Sequence, residues 1–434
     1  MKIAILGYDI EGRVSYDYFA AQGHELTICD RNPDLAVPEG VPSVLGDGYL
    51  DGLDRFDLVV RTAGLLPQLI LDKNLGLEAK ITTHINEFMK VCPTANVIGV
   101  TGTKGKGTAS TLIAKLLEAA GRDVRLGGNI GLPPLTFLEE LTAESWVVLE
   151  LSSFQLTDLK LSPHIAVCLM VVPEHLNWHA DLDDYTEAKS QLFKRQTGED
   201  VAIYYAANET SRKIAAASPG HQIPYCAPPG AVAADGAISI NGQVICKTDE
   251  LKLPGRHNWQ NVCAAVTAVW QTSQDVDALS SVLTSFEGLE HRIELVREVG
   301  SIRFYNDSFA AGLHATEAAI EAIDGKKVMI LGGYDRMLDI DHFGPYAVEH
   351  QSEFRKLLLI GASAERLAVS LDKAGFTNYT VDTGAKTMPE VVAAARRLAH
   401  EGDAVVLSPG FASFDMFKNF EDRGRQFKEA VLGL

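Results

Sequence analysis

Residues 96–111 read NVIGVTGTKGKGTAST, and this stretch decides the fold. Val97, Ile98, Gly99 and Val100 have the small or apolar character of a buried strand end. A glycine-rich turn follows, and a helix begins near Gly105 and runs on through TLIAKLLEAAG. Strand, loop, lysine and helix in that order aim backbone N–H groups and a helix N-terminus at a polyphosphate. Gly102, Thr103, Lys104, Gly105, Lys106, Gly107 and Thr108 are therefore the candidate nucleotide-binding residues. Lys106 would reach the β- and γ-phosphates, and Thr108 would supply a hydroxyl to Mg2+. The usual pattern places that hydroxyl directly after the lysine, where this chain has Gly107. A plain glycine-rich βα turn accounts for the glycines but not for a lysine in register with the helix start.

On the N-terminal side, residues 2–6 form a short apolar strand, the turn GYDIEG follows, and a helix is expected over 13–22. ELTICD gives a second strand closing on Asp30. Gly7 and Gly12 lie at the turn, an incomplete dinucleotide pattern that fits a Rossmann-like half without a bound NAD. FDLVVRT and a helix around 83–90 complete a first α/β domain, and Pro93 marks a linker. On the C-terminal side, WVVLELSSFQL and IAVCLMVV are apolar strands. Their carboxyl ends, on the edge where ligands gather in a parallel sheet, carry Glu150 and His175. A β-rich excursion is expected over 219–253, then a helix from about Asn258. IRFYNDS, KVMILGG, KLLLIGA and AVVLSPG alternate with helices and read as a second doubly wound domain. The expected organisation is α/β with three domains: residues 1–92, a central P-loop domain over 93–292, and a Rossmann-like domain over 293–434.

The chain has 434 residues and a net charge of −18, with 57 acidic against 39 basic residues. That balance argues against nucleic acid as a partner, because phosphate-backbone binding needs a basic surface. Six cysteines without CxxC pairs read as reduced thiols. No apolar run approaches the roughly 18 residues of a membrane span, and the N-terminus has no signal-peptide core, so a cytoplasmic enzyme is expected.

The stretches TGTKGKGT, GGNIGLP, ELSSFQL, the EH and AK pieces of EHLNWHADLDDYTEAK, GRHNWQN, GLEHR, NDS followed by TEAA, and SPGFASFDMFKNFEDRG lie in order along the whole chain. With them the chain resembles the Mur ligase family, and within it the branch adding glutamate to UDP-N-acetylmuramoyl-L-alanine. The resemblance implies a soluble monomer that uses ATP and two Mg2+ ions. It phosphorylates a carboxylate, and the amine of an amino acid then attacks the acyl phosphate. Metal ions and fixed cations stabilise the charge that develops. It implies Lys106, Glu150, His175 and Lys189 as catalytic residues, with Thr108, Glu150, His175 and Lys189 around the metals. Lys189 would be carried as a carbamate; read without the family, it is an exposed helix lysine. Asn261 and His291 would lie near the adenine, and Arg292 and Asp307 near phosphate and ribose. A nucleotide site shared between two domains implies closure on substrate. Tyr8, Gly12 and Asp30 would meet the uridine, Asn129 and Ser153 the sugar–peptide, and Arg336, Ser413 and Phe420 the incoming glutamate. His179 has no role that the resemblance assigns.

Two departures bear on specificity. Members of that branch usually read NDSKATN where this chain has Asn306-Asp307-Ser308-Phe309-Ala310-Ala311-Gly312. Losing a cation and a hydroxyl weakens the case for carboxylate recognition there. D-glutamate is the expected amino acid, and L-glutamate or another stays open. The GKGT loop is instead similar to folylpolyglutamate synthases, a second reading, and a catalytically idle binding relative is a third.

Overall fold

The computed structural model describes residues 1–434 apart from 176–177, 254, 256 and 336–339, and residue 257 by its backbone alone. Contacts divide the chain into two compact units, 1–251 with 256–286, and 252–255 with 287–434.

The first unit holds two parallel sheets. Lys2–Leu6 (β1), Glu25–Asp30 (β2), Ser43–Leu45 (β3), Leu58–Arg61 (β4) and Ile81–Thr82 (β5) line up as β3-β2-β1-β4-β5. The first helix runs Ile10–Ala21, three residues earlier than the sequence suggests. Gly7, at φ 85°, makes the turn, and the helix start then packs onto it: a Cβ at Gly12 would lie 1.9 Å from the Gly7 carbonyl oxygen. Only glycine fits that approach.

Val97–Thr101 (β6), Val124–Gly128 (β7), Trp146–Glu150 (β8), Ile165–Cys168 (β9), Val201–Tyr205 (β10) and His221–Tyr225 (β11) form the second sheet, ordered β11-β10-β9-β6-β8-β7. Its inner strands are buried on both faces, as helices covering both sides of a parallel sheet require. β9 ends at Cys168, short of the expected residue 172. The chain beyond it turns to serve the P-loop: Thr103 N donates to Met170 O at 2.8 Å, and Val172 N to Thr103 Oγ1 at 3.0 Å. Within the expected β-rich excursion, Val232–Ala234 (β12), Ala237–Ile240 (β13) and Gln243–Lys247 (β14) make a small antiparallel sheet.

Several side chains join the two parallel sheets, and a buried arginine is prominent among them. Arg61, at the end of β4, is 1% exposed; its guanidinium pairs with Asp158 at 2.6 and 2.8 Å and donates to the Phe154 carbonyl at 3.0 Å. It also caps the carbonyls of Thr62, Ala63 and Leu65. Glu11 adds a second tie, accepting from Ala63 N at 2.7 Å and from Gln155 Nε2 at 3.0 Å. The segment 153–158 is thus fastened to the first sheet.

The second unit contains one sheet. Glu294–Val299 (β15), Ile302–Asn306 (β16), Lys327–Gly332 (β17), Phe354–Ile360 (β18), Tyr379–Asp382 (β19) and Ala404–Leu407 (β20) are ordered β15-β16-β20-β17-β18-β19. All neighbours are parallel except β15 and β16. The four inner strands are those expected from their apolar runs. The edge strands β15 and β19 are largely exposed and carry no such run.

Candidate active site

The P-loop joins β6 to the helix Lys106–Ala119. Gly102 has φ 147° and Gly105 φ 87°, the left-handed region that glycine enters without strain. Space adds a second demand. A Cβ on Gly102 would sit 2.7 Å from the Leu169 Cβ, and one on Gly105 would sit 2.2 Å from Asn261 Oδ1. The loop is therefore sandwiched between the chain after β9 and the helix His257–Trp270. Asn261, one of the expected nucleotide residues, is buried against the turn, with Nδ2 donating to Asn258 Oδ1 at 2.8 Å. Lys106 Nζ donates to the carbonyls of Gly102 and Thr103 at 3.1 Å each. Gly107 and Thr108 are buried in the first turn.

Lys189 lies within the helix Leu182–Ser190 and is 1% exposed, not the surface lysine that its isolated sequence context suggests. Its Nζ donates to Gly102 O at 2.9 Å and stands 4.5 Å from the Tyr185 ring centroid. Burial, reinforced by the Lys106 charge, brings its pKa down from 10.5 to about 7. Two lysines thus converge on one glycine carbonyl beneath the loop, an arrangement whose electrostatics call for an anion. Glu150 ends β8 in register with Val100 of β6, which places it beside the loop. It is buried and accepts from Asn129 Nδ2 at 2.7 Å, while Asn129 N donates to its backbone oxygen at 2.8 Å. Of Glu150, His175 and Lys106, expected on one sheet edge, Glu150 and the P-loop follow from the carboxyl ends of the neighbouring strands β8 and β6, and Asn129 bonds to the first of them.

His175 has φ 58°, and its carbonyl accepts from Trp178 N and His179 N at 3.0 Å each. Its ring is exposed over 44% of its surface and lies 4.9 Å from Phe154 and 6.4 Å from Tyr185. Burial lowers its pKa, with Lys106 and Lys189 acting in the same direction and Glu174 against. His179 is buried and links Ser153 to Asp184. In the first sheet, Asp30 Oδ2 accepts from Tyr8 N at 2.8 Å and Oδ1 from Asn32 N at 2.8 Å. Asp30 therefore shapes the loop at Tyr8 and caps its own turn.

In the second unit, His291 (φ 63°) faces Asn306 Nδ2 at 2.8 Å. Asp307 is buried, accepting from Ser408 Oγ at 2.6 Å and from Ile293 N at 3.1 Å. Burial raises its pKa from 3.8 to about 7. Phe309 is half-exposed, edge-on to Phe420 at 5.2 Å and 5.5 Å from the Arg292 guanidinium carbon. The residue that departs from the usual pattern thus touches two residues expected at the site. Ser413 is buried. Arg336 lies outside the described residues. Sequence reasoning missed Arg423, which is 1% exposed and binds Ser308 Oγ (2.9 Å), Ser308 O (2.8 Å) and the carbonyls of Phe411 and Ala412. It lies inside the quoted NFEDRG stretch, and only its burial separates it from a surface arginine.

The donor set suits a triphosphate with a divalent metal: a glycine cradle with no room for a Cβ, a lysine at its rim, and the Thr108 hydroxyl and Glu150 carboxylate as hard oxygen ligands. Among the described residues, no helix is long and apolar enough to cross a membrane.

Residues 100–269 match the Mur ligase middle domain, and residues 291–411 match the Mur ligase glutamate ligase domain. The UDP-N-acetylmuramoylalanine--D-glutamate ligase of Symbiobacterium thermophilum is 38% identical, over 100% of this chain and 98% of its own length. The enzyme of that name from Acetivibrio thermocellus is 36% identical, over 99% and 96%. Among solved structures, the MurF ligase from Thermotoga maritima in complex with ADP superposes with a TM-score of 0.62 at 16% identity, covering 99% of this chain and 94% of that one, which shows the shared fold. With a P-loop, a buried lysine beneath it and full-length identity above one third, the chain belongs to the Mur ligase family, in its UDP-N-acetylmuramoylalanine--D-glutamate ligase branch.

Proposed function

We propose that this chain is an ATP-dependent ligase that joins D-glutamate to UDP-N-acetylmuramoyl-L-alanine through an acyl phosphate, in the cytoplasmic synthesis of peptidoglycan precursors. The observation that carries the reading is the pair Lys106 and Lys189 converging on Gly102 O beside Glu150, in a chain whose full-length relatives bear that activity. Lys106 would bind the terminal phosphates and offset the charge that develops as the γ-phosphoryl group moves to the substrate carboxylate. Thr108 and Glu150 would hold one Mg2+, and His175 with Lys189 a second. The metal supplies charge neutralisation on the phosphoryl oxygens. Asn129 fixes the Glu150 carboxylate from behind.

Lys189 fits carbamylation. With a pKa near 7, a large share of its amine is unprotonated at neutral pH, and the neutral amine is the form that attacks CO2. An N–C bond forms as one C–O π bond of CO2 opens onto its oxygen, a proton passes from the nitrogen to water, and a neutral amine beside Lys106 becomes a carbamate anion. We read residues 1–92 as binding the uridine nucleotide, 93–292 as binding ATP, and 293–434 as binding the amino acid, with Asn261, His291, Arg292 and Asp307 serving ATP. Phe309, packed between Arg292 and Phe420, stands where the usual basic residue would meet glutamate, so the amino-acid pocket is where this chain differs.

The test is phosphate release from ATP with purified protein, Mg2+, the UDP-sugar–alanine and a panel of amino acids, with products identified by mass. Turnover with D-glutamate supports the reading. Turnover only with another amino acid keeps the ligase and moves its specificity. No turnover with this nucleotide refutes it.

A further inference from the structure

We infer that His179 is a positioning residue that commits the Ser153 hydroxyl proton, so that Ser153 meets the sugar–peptide substrate as an acceptor and reads one of its amide N–H groups. The inference rests on the proposed function, which places Ser153 at that substrate.

Ser153 opens the short helix Ser153–Leu156 that follows β8, three residues beyond Glu150. Its Oγ lies 2.9 Å from His179 Nε2. On the other side of the ring, Nδ1 lies 3.0 Å from Asp184 Oδ2, an oxygen that also accepts from Ala180 N at 3.2 Å. A carboxylate oxygen only accepts, so Nδ1 carries a proton. In the neutral imidazole Nε2 is then an acceptor, and the serine O–H is its donor. The hydroxyl has one proton. Once that proton points at His179, the lone pairs on Oγ are what remains for a ligand, and they fit an N–H donor rather than a carbonyl. The ring is also held by its aromatic neighbours, with Phe154 stacked at 5.9 Å and Trp178 and Tyr185 in T-shaped contact at 4.6 and 5.2 Å. Tyr185 in turn reaches Thr103 of the P-loop, OH to Oγ1, at 2.9 Å. The imidazole is buried, so it competes with no solvent for the serine proton.

Two replacements separate the two ring nitrogens. Gln offers a carbonyl oxygen at the reach of Nε2 and can accept from Ser153; Asn offers its amide at the reach of Nδ1, serving Asp184 and leaving Ser153 unpartnered. H179N is expected to weaken calorimetric binding of UDP-N-acetylmuramoyl-L-alanine, and to raise its KM, by about three- to tenfold, the range of one hydrogen bond. The KM for ATP should stay within about twofold. H179Q should remain near wild type. S153A should match H179N, and the double variant should be no worse than S153A alone, the coupling expected when one residue acts through the other. Additive losses, or a loss confined to ATP, would overturn the assignment. If the His179 variants do not fold, S153A decides, because it removes no buried ring: unchanged nucleotide binding in S153A refutes the inference. Absence of binding by the wild-type chain refutes the proposed function itself and this assignment with it.

Discussion

Replacing Arg61 by Ala removes a side chain that fastens the first sheet to the segment carrying Ser153. The cost can be worked from its partners. The guanidinium makes two bonds to Asp158 and four to the backbone carbonyls of Thr62, Ala63, Leu65 and Phe154. Breaking a buried ion pair by deleting one partner costs about 3–5 kcal/mol. Asp158 keeps 21% of its side chain exposed and can rehydrate, which puts the expected loss at the lower end, about 3 kcal/mol. At roughly 2–4 °C per kcal/mol for a domain of this size, the melting transition of the first unit should fall by about 6–12 °C. R61K keeps the charge but only three donors, so an intermediate loss is expected. The assay is scanning calorimetry or fluorescence-monitored melting of the full chain, with D158A and the double variant completing a cycle. The double variant should recover part of the loss, since the uncompensated charge is gone. A melting point for R61A within about 2 °C of wild type, a small fraction of the expected shift, would refute the reasoning.

K189M should lower ligase activity at least about 100-fold, the scale of a lost electrostatic contact at a reacting centre. Because the folded pKa is depressed, charging Lys189 costs stability below pH 7, so the variant should melt higher than wild type there, a gain that fades towards pH 10 as the unfolded lysine also loses its proton. K189A activity restored by a small carboxylate would support the carbamate, and full activity without rescue would remove it. G105A must place a methyl 2.2 Å from Asn261 Oδ1 at φ 87°, and ATP affinity should drop by more than tenfold in a calorimetric titration. Asp307 runs the other way in pH: its folded pKa lies above the unfolded 3.8, so the stability it contributes is lost as pH climbs from about 4 to about 7. D307N should therefore melt higher than wild type at pH 8 and gain less at pH 5; equal gains would contradict the raised pKa. F309K, which restores a cation beside Arg292 and Phe420, should lower the KM for D-glutamate about three- to tenfold, and an unchanged KM would show that Phe309 is neutral.

What was legible in the chain was what is local. The P-loop could be read from sixteen residues because glycine, lysine and a helix start are adjacent in sequence, and the inner strands because burial on both faces leaves continuous apolar runs. Lys189 shows the limit: its periodicity on a polar helix is that of a surface residue, and its burial under Gly102, 87 residues away, comes from tertiary packing. Arg61 and Asp158 are 97 residues apart and nothing in either stretch names the other. His179 and Arg423 were hidden for the same reason. The edge strands β15 and β19 lacked a pattern because edges face solvent.

Gly105 and Asn261 compete for one small volume, and this constrains how the sequence can drift. With Asn261 in place, every side chain at 105 collides with it, so a change at 105 is deleterious until 261 has shrunk. A change at 261 first opens the space but gives up a residue packed on the nucleotide loop. The two positions, 156 residues apart, can move only in one order, so a descendant of this chain should not lose Gly105 while it keeps Asn261.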